Sequence, residues 1–456
     1  MIERQSLSYK DPAGFVVKKD DGFHRYITQS YACEYDHFIK SGLYQLLVDS
    51  RLMIAHKELN LPASQDHLFY KEIFPAQVIS ITYPFEWAFT QWKEMILTYI
   101  AINEAALKYG MILKDATPYN FVFYDGKCML LDTLSFNFYK KGSPWIAYRQ
   151  FCEEILAPLS VMRYKGPAMG KLGITFLNGL PLSFVSRELP FRSWFNTNCL
   201  LHIHLHAKFQ KAGNKERVTN TGITTQKLPS LFQIIKNDIS GWKPPSSNNS
   251  DWKNYYGTGI ENEKYLSDKL TTVSNWLQKI GPKKTIDLGA NTGKFSFVAS
   301  QFSQQVIAIE KDPWCADAIY QSARKNDLKN ILLVIADITS PSPGLGWENE
   351  EKVALLKRVN GDLLMALALV HHLCITKNIP FSLIAKLFSQ LTSQYLIVEF
   401  VPKSDPKVIE MLRNREDIFS DYQESSFIKW FEKYFELLEV HSCTCSERKL
   451  FLWKTK

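Results

Sequence analysis

Asp287, Gly289, Asn291 and Gly293 alternate along a turn between the apolar residues Thr285 and Ile286 and the helix-spaced Phe295, Phe297, Val298 and Phe302. Glycine at 289 and 293 allows positive φ and lets a ligand approach the backbone without meeting a Cβ. The helix that follows offers unpaired N–H groups at its start. A second apolar run, Val306, Ile307, Ala308 and Ile309, ends in Glu310. A carboxylate at the tip of the adjacent parallel strand is placed to accept both hydroxyl hydrogens of a ribose. The pattern is that of a nucleotide-binding turn.

Which nucleotide depends on how the turn opens. A dinucleotide site wants G-x-G-x-x-G with a helix dipole aimed at pyrophosphate. Here an acid leads, in the form D-x-G-x-N-x-G from Asp287. That acid repels phosphate and suits a ligand carrying an amino group and a sulfonium. The stretch resembles motif I of the class I S-adenosylmethionine-dependent methyltransferases. The resemblance implies that Asp287, Gly289, Asn291 and Gly293 line the methionine and ribose end of S-adenosyl-L-methionine, and that Glu310 is the ribose-binding acid. Asp337, after the run 331–336, is placed for the adenine amino group, a role the resemblance also implies. A nicotinamide oxidoreductase on the same fold, a phosphotransferase or substrate-binding pseudokinase whose methyltransferase half is accessory, and a non-catalytic scaffold are the rival readings.

His371 and His372 end the run 363–370, where such methyltransferases keep the residues that face the acceptor. Transfer from a sulfonium has a neutral leaving group, so alignment and desolvation contribute most. A base is needed only to deprotonate the acceptor, and one of these histidines, titrating near neutrality, suits a hydroxyl. The N/D-P-P-Y signature of enzymes that methylate base amines is absent. The expected acceptor is a small molecule or a protein, with nucleic acid not favoured. Glu399, Lys403 and Asp405 are candidates for the acceptor pocket, or for an ordinary strand-to-helix turn.

The elements that position these residues alternate strictly between residues 257 and 456. A lead-in helix at 261–280 precedes strands at 285–289, 306–310, 331–336, 363–370 and 394–400, with helices at 294–303, 312–326, 380–391, 406–419 and 425–434. Such alternation gives an α/β, Rossmann-like parallel sheet covered on both faces. A closing antiparallel pair at 436–445 and 448–454 resembles the hairpin that class I methyltransferases have in place of a sixth parallel strand, and the resemblance implies a seven-stranded sheet.

The first 208 residues read as an α+β domain. A hairpin spans 11–27 around Asp20-Asp21-Gly22, and core-facing helices cover about 32–51 and 85–109. Asp115 is followed by Asn120, a strand, the turn Asp125-Gly126, a second strand and Asp132. This spacing is similar to the catalytic loop and metal-binding strand of the protein kinase and aminoglycoside phosphotransferase superfamily. The resemblance implies Asp115 as base, Asn120 and Asp132 as Mg²⁺ ligands, and ATP as cofactor. Leu113 replaces the usual His, Thr133 follows the metal acid, and no glycine-rich lid precedes them. A kinase-shaped module that binds a substrate or partner is therefore the alternative to phosphoryl transfer. His202, His204 and His206 invite a metal reading, but without a clear third ligand type nearby a polar stripe on a packed element is expected, and no metal.

The net charge of +8 is concentrated: residues 151–250 hold 12 basic and 5 acidic side chains. Together with Pro244-Pro245 and the polar run after it, this marks 209–256 as a solvated linker. The eight cysteines show no C-x-x-C pair, so neither a disulfide framework nor a zinc finger is expected. With no long apolar run and no apolar leader after Met1, the reading is cytoplasmic with no membrane partner. The whole chain is also similar to bacterial methyltransferases grouped with nodulation host-specificity proteins.

Overall fold

The computed structural model describes residues 10–61, 69–211, 228–246, 263–413 and 416–456. The chain forms two compact units, 1–245 with Pro343–Val353, and Ser246–Ser342 with Ala354–Lys456. The segment Pro343–Val353, expected inside the second domain, thus belongs to the first. There Val353 N donates to the Tyr83 hydroxyl at 2.9 Å, and the Lys352 ammonium lies 4.4 Å from the centre of the Tyr119 ring.

In the first unit the expected hairpin is present as β1 (Gly14–Lys19) and β2 (Gly22–Ile27), joined through Asp20 and Asp21. With β3 (His56–Leu59) and β4 (Lys71–Pro75) it makes a sheet in the order β1-β2-β4-β3. The single helix expected at 32–51 is two, Ala32–Lys40 and Leu43–Asp49, because Gly42 takes φ +89° and stops the ladder. Helix Phe89–Lys108 carries the apolar spacing read from the sequence, with Trp92, Met95, Ile96, Tyr99 and Ile100 all buried. Strands β5 (Met111–Leu113), β6 (Phe121–Tyr124), β7 (Lys127–Leu130) and β8 (Phe136–Phe138) follow. Asp125 and Gly126 at φ +48° and +72° form the tight turn between β6 and β7. The stretch expected to be an irregular linker contains the helix Leu228–Ser240, whose Leu231, Phe232, Ile235 and Ile239 are buried. Amphipathic spacing at 231, 235 and 239 won over the polar composition around it. Much of the rest of that stretch lies outside the described residues.

The second unit is built on a seven-stranded sheet in the order β11-β10-β9-β12-β13-β15-β14. Its strands are β9 (Lys284–Leu288), β10 (Gln305–Glu310), β11 (Ile331–Ile335), β12 (Gly361–Ala366), β13 (Thr392–Phe400), β14 (Phe435–Ser442) and β15 (Lys449–Thr455). The first five are parallel and β15 runs antiparallel to both β13 and β14. Alternation along the strands sorts the core into two faces. Ile286, Leu288, Leu364, Leu396 and Val398 pack with the helices Phe381–Leu391 and Glu424–Phe431. Leu363, Met365 and Ile397 pack with the helices Glu263–Ile280 and Lys294–Ala299. Chain order reverses between β9 and β12, which is where an open parallel sheet leaves a crevice beyond its strand tips.

Candidate active site

The turn after β9 is fixed by its own backbone. Gly289 N and Ala290 N both donate to Ile309 O, at 2.9 and 3.1 Å, and Gly293 N donates to Ala290 O at 2.8 Å. Gly289, Asn291 and Gly293 have φ of +78°, +50° and +85°. A Cβ at 293 would sit 3.0 Å from both Ile319 and Phe297, and one at 289 would meet Leu369 at 3.3 Å. The first glycine required by the sequence reading therefore faces the cavity wall, and the second faces the core.

Glu310, at the tip of β10, takes Asn291 N on one oxygen at 2.7 Å and Asp312 N on the other at 2.8 Å. An ionised carboxylate offers about four acceptor sites, so capacity remains for a hydroxyl. Burial pushes this carboxyl up to about 7, against the pull of those two N–H groups. Asp337 lies just beyond β11 and accepts from Thr339 N at 2.9 Å and from its hydroxyl at 2.7 Å. Burial opposes its charge, but the Thr339 bonds, with Lys311 and Lys377 nearby, hold it below the usual carboxylate range.

Gly289, Asn291, Glu310, Asp337, Leu369 and His372 share the lining of one cavity of about 340 Å³ at the switch point. That size falls within the range of small-molecule sites. Three of the cofactor-binding and base candidates do not line it. Gly293 is buried behind the turn. Asp287 is 2 % exposed and points beneath the turn, its carboxylate accepting from the Ser296 hydroxyl at 2.5 Å. Its place is set by the strand pleat, which aims residue 287 at the face holding Phe295, and burial pushes its carboxyl up to about 6.

His371 is the third. The strand ends at Ala366, earlier than expected, and the two histidines lie at the start of a helical turn, with His371 fully buried and its ring centre 4.1 Å from that of His372. Neither titrates near neutrality as expected. Burial holds His371 well below the usual range and brings His372 down to about 4. Only His372 reaches the cavity.

Glu399 and Asp405 are likewise buried away from it, and Lys403 pairs with Asp417 at 2.7 Å. Sequence reading missed Tyr265, Lys269 and Arg448, which converge on Glu399: Lys269 Nζ reaches it at 2.6 Å, the Tyr265 hydroxyl donates to it, and Arg448 stands 3.8 Å away. The one signal was a lysine on the apolar face of a helix, in register with Tyr265 and Val273.

In the first unit, Leu131 N donates to Asn120 O at 2.8 Å, which sets Asn120 beside the strand end that leads to Asp132. The side chains are otherwise engaged. Asn120 Nδ2 donates to Ser135 Oγ at 3.1 Å, and Asp132 pairs with Arg25 while accepting Leu134 N at 2.9 Å. Asp115 is half-buried, and that burial raises its carboxyl. His202 and His204 are buried and bonded to Tyr148, Ser186 and Ser193 at 2.8, 2.9 and 2.8 Å. Among the described residues no group of three His, Cys, Asp or Glu could hold a metal ion, and no helix is long and apolar enough to cross a membrane.

No protein-family profile matches the chain. Among solved structures, the N-methyltransferase NodS from Bradyrhizobium japonicum WM9, in complex with S-adenosyl-L-homocysteine, is 10% identical and covers 45% of this chain and 99% of its own, with a TM-score of 0.32. The magnesium protoporphyrin IX methyltransferase ChlM from Synechocystis PCC 6803, with bound S-adenosylmethionine, is 15% identical and covers 45% and 89%, with a TM-score of 0.31. The nodulation protein NoeA of Rhizobium meliloti (strain 1021) is 30% identical over 464 residues, spanning 99% of this chain and 96% of the relative. A likeness that runs nearly end to end through both units makes this chain a member of the family of NoeA.

Proposed function

We propose that the protein is a methyltransferase that carries a methyl group from S-adenosyl-L-methionine to an O or N nucleophile of a small molecule or protein. The observation that carries this reading is the convergence of Gly289, Glu310 and Asp337 on one cavity at the switch point of the sheet. Glu310 would take the ribose hydroxyls and Asp337 the adenine amino group. The Gly289 turn would pass under the sulfonium and methionine portion, with the Asp287 carboxyl beneath it disfavouring a diphosphate. The cofactor supplies an electrophilic methyl carbon. The chain's part is to hold that carbon over the strand tips and exclude water.

His372, neutral well below physiological pH, would orient an acceptor hydroxyl or amine by hydrogen bonding and receive its proton during transfer. His371 supports it from behind. Nucleic acid is not favoured as acceptor, and we place the protein in the cytoplasm, where free thiols such as Cys152 and Cys374 persist.

We read the first unit as a kinase-like module that binds a substrate or partner. The Arg25 bridge on Asp132 and the Ser135 bond on Asn120 speak against ATP with Mg²⁺ there. Equilibrium dialysis against labelled S-adenosylmethionine tests the central reading: micromolar retention by the wild type, weakened about tenfold or more by Gly289→Val, is expected. Equal retention by both proteins would overturn the placement of the cofactor at this turn.

A further inference from the structure

Ala368 is a cavity-lining residue with φ +49°, a left-handed conformation that costs any residue with a Cβ and persists only where its surroundings dictate it. Its N–H donates to Glu399 Oε2 at 2.7 Å. Glu399 is fully buried on β13, and the same oxygen takes Lys269 Nζ at 2.6 Å while the Tyr265 hydroxyl binds the other. Arg448 closes the cluster. It donates to the Tyr265 hydroxyl at 3.2 Å and grips Asp405 at 2.7 and 3.2 Å. Asp405 in turn caps the helix Pro406–Leu412 by accepting Lys407 N at 2.9 Å.

The carboxylate is thus fixed from a helix, a helix cap and the approach to β15. None of Tyr265, Lys269, Glu399 and Arg448 lines the cavity, whereas Leu367, Ala368 and Leu369 all do. Leu369 is also the side chain that stands opposite Gly289. A buried ion cluster is a poor way to gain stability, since apolar residues of similar volume serve as well or better. A fixed acceptor for one strained N–H is something apolar packing cannot supply.

We propose that Glu399 is a positioning residue: by holding the Ala368 N–H it sets the 367–369 wall against the Gly289 turn and so fixes the width of the cofactor slot. The inference rests on the methyltransferase reading of the cavity.

The test is calorimetric titration of the full chain with S-adenosylhomocysteine. In Lys269→Met/Glu399→Met both charges go together and no acceptor is left for Ala368, so affinity is expected to fall about tenfold or more. In Lys269→Met/Glu399→Gln the amide oxygen still accepts that N–H, and affinity is expected to stay within about threefold of wild type. Equal affinities in the two double variants, whether both retained or both lost, would overturn the proposal. Hydrogen exchange on the wild type needs no variant to fold: the Ala368 amide is expected to be protected before ligand is added, and rapid exchange there would also overturn it. A wild type that does not bind S-adenosylhomocysteine would sink the methyltransferase reading instead, and this inference with it.

Discussion

As the proposed ribose acid, Glu310 should make cofactor affinity depend on pH, with a sign and size that follow from its surroundings. Burial raises its carboxyl to about 7, so near neutrality half of the unliganded molecules carry it protonated. On that reading the ionised form would accept the ribose hydroxyls and the protonated form would lose one charge-assisted bond, worth roughly 1.5–3 kcal/mol or about ten- to a hundredfold in affinity. Ligand binding therefore releases a proton. Relative to pH 8.5, the dissociation constant for S-adenosylhomocysteine should be about twofold weaker at pH 7 and approach tenfold weaker at pH 6.

Calorimetry at pH 7 in two buffers of different ionisation enthalpy should show about half a proton released per site. The ligand's own amino group titrates with either protein, so Glu310→Gln is the control: its pH slope should lack this contribution, with affinity at pH 8.5 lowered about tenfold or more. Stability without ligand runs the other way. A carboxyl whose folded pKa lies above its unfolded value stabilises the fold most at low pH, and that contribution is lost as pH rises through about 7. An affinity that does not change between pH 6 and 8.5, or a Glu310→Gln variant with the wild-type slope, would show that Glu310 does not hold the ribose.

The two glycines of the turn should separate by assay. Gly293→Ala puts a methyl 3.0 Å from Ile319 and Phe297 at positive φ, so it should lower thermal stability by at least the roughly 1–2 kcal/mol of left-handed strain. Gly289→Ala should spare more of the stability and weaken ligand binding. Both ring nitrogens of His371 are buried and, among the described residues, have no hydrogen-bond partner. His371→Leu should therefore leave unfolding in denaturant at pH 7.5 unchanged or raise stability by about 1 kcal/mol. Because its folded pKa is depressed, the unfolded chain takes up the proton first, so the wild type loses stability as pH falls below about 6.5, and the variant should lose less. ATP with Mg²⁺ should not raise the melting temperature of the wild type. A rise of several degrees, abolished by Asp132→Ala, would instead establish a nucleotide site in the first unit.

The turn and its flanking strands were legible because each signal is local. Buried parallel strands read as unbroken apolar runs, the two glycines sit where the backbone must turn left, and Glu310 ends its run abruptly. The closing antiparallel pair read at 436–445 and 448–454 is present as β14 and β15.

What escaped was whatever depends on distant partners. Glu399 lies 130 residues from Lys269, and nothing near Glu399 in sequence distinguishes a buried anchor from a pocket acid. Pro343–Val353 sits between two strands of one unit and packs in the other, which no periodicity records. The His371 and His372 pair shows the limit most plainly, since a single step along a helical turn separates a histidine in the core from one at the cavity.

Soaking crystals of the full chain with S-adenosylhomocysteine and locating the ligand tests the claim that the strand-tip cavity holds the cofactor. The claim requires the ribose hydroxyls on Glu310, the adenine amino group toward Asp337 and the sulfur above the Gly289 turn. Density for the ligand elsewhere, or an empty cavity beside a bound NADH, would contradict it.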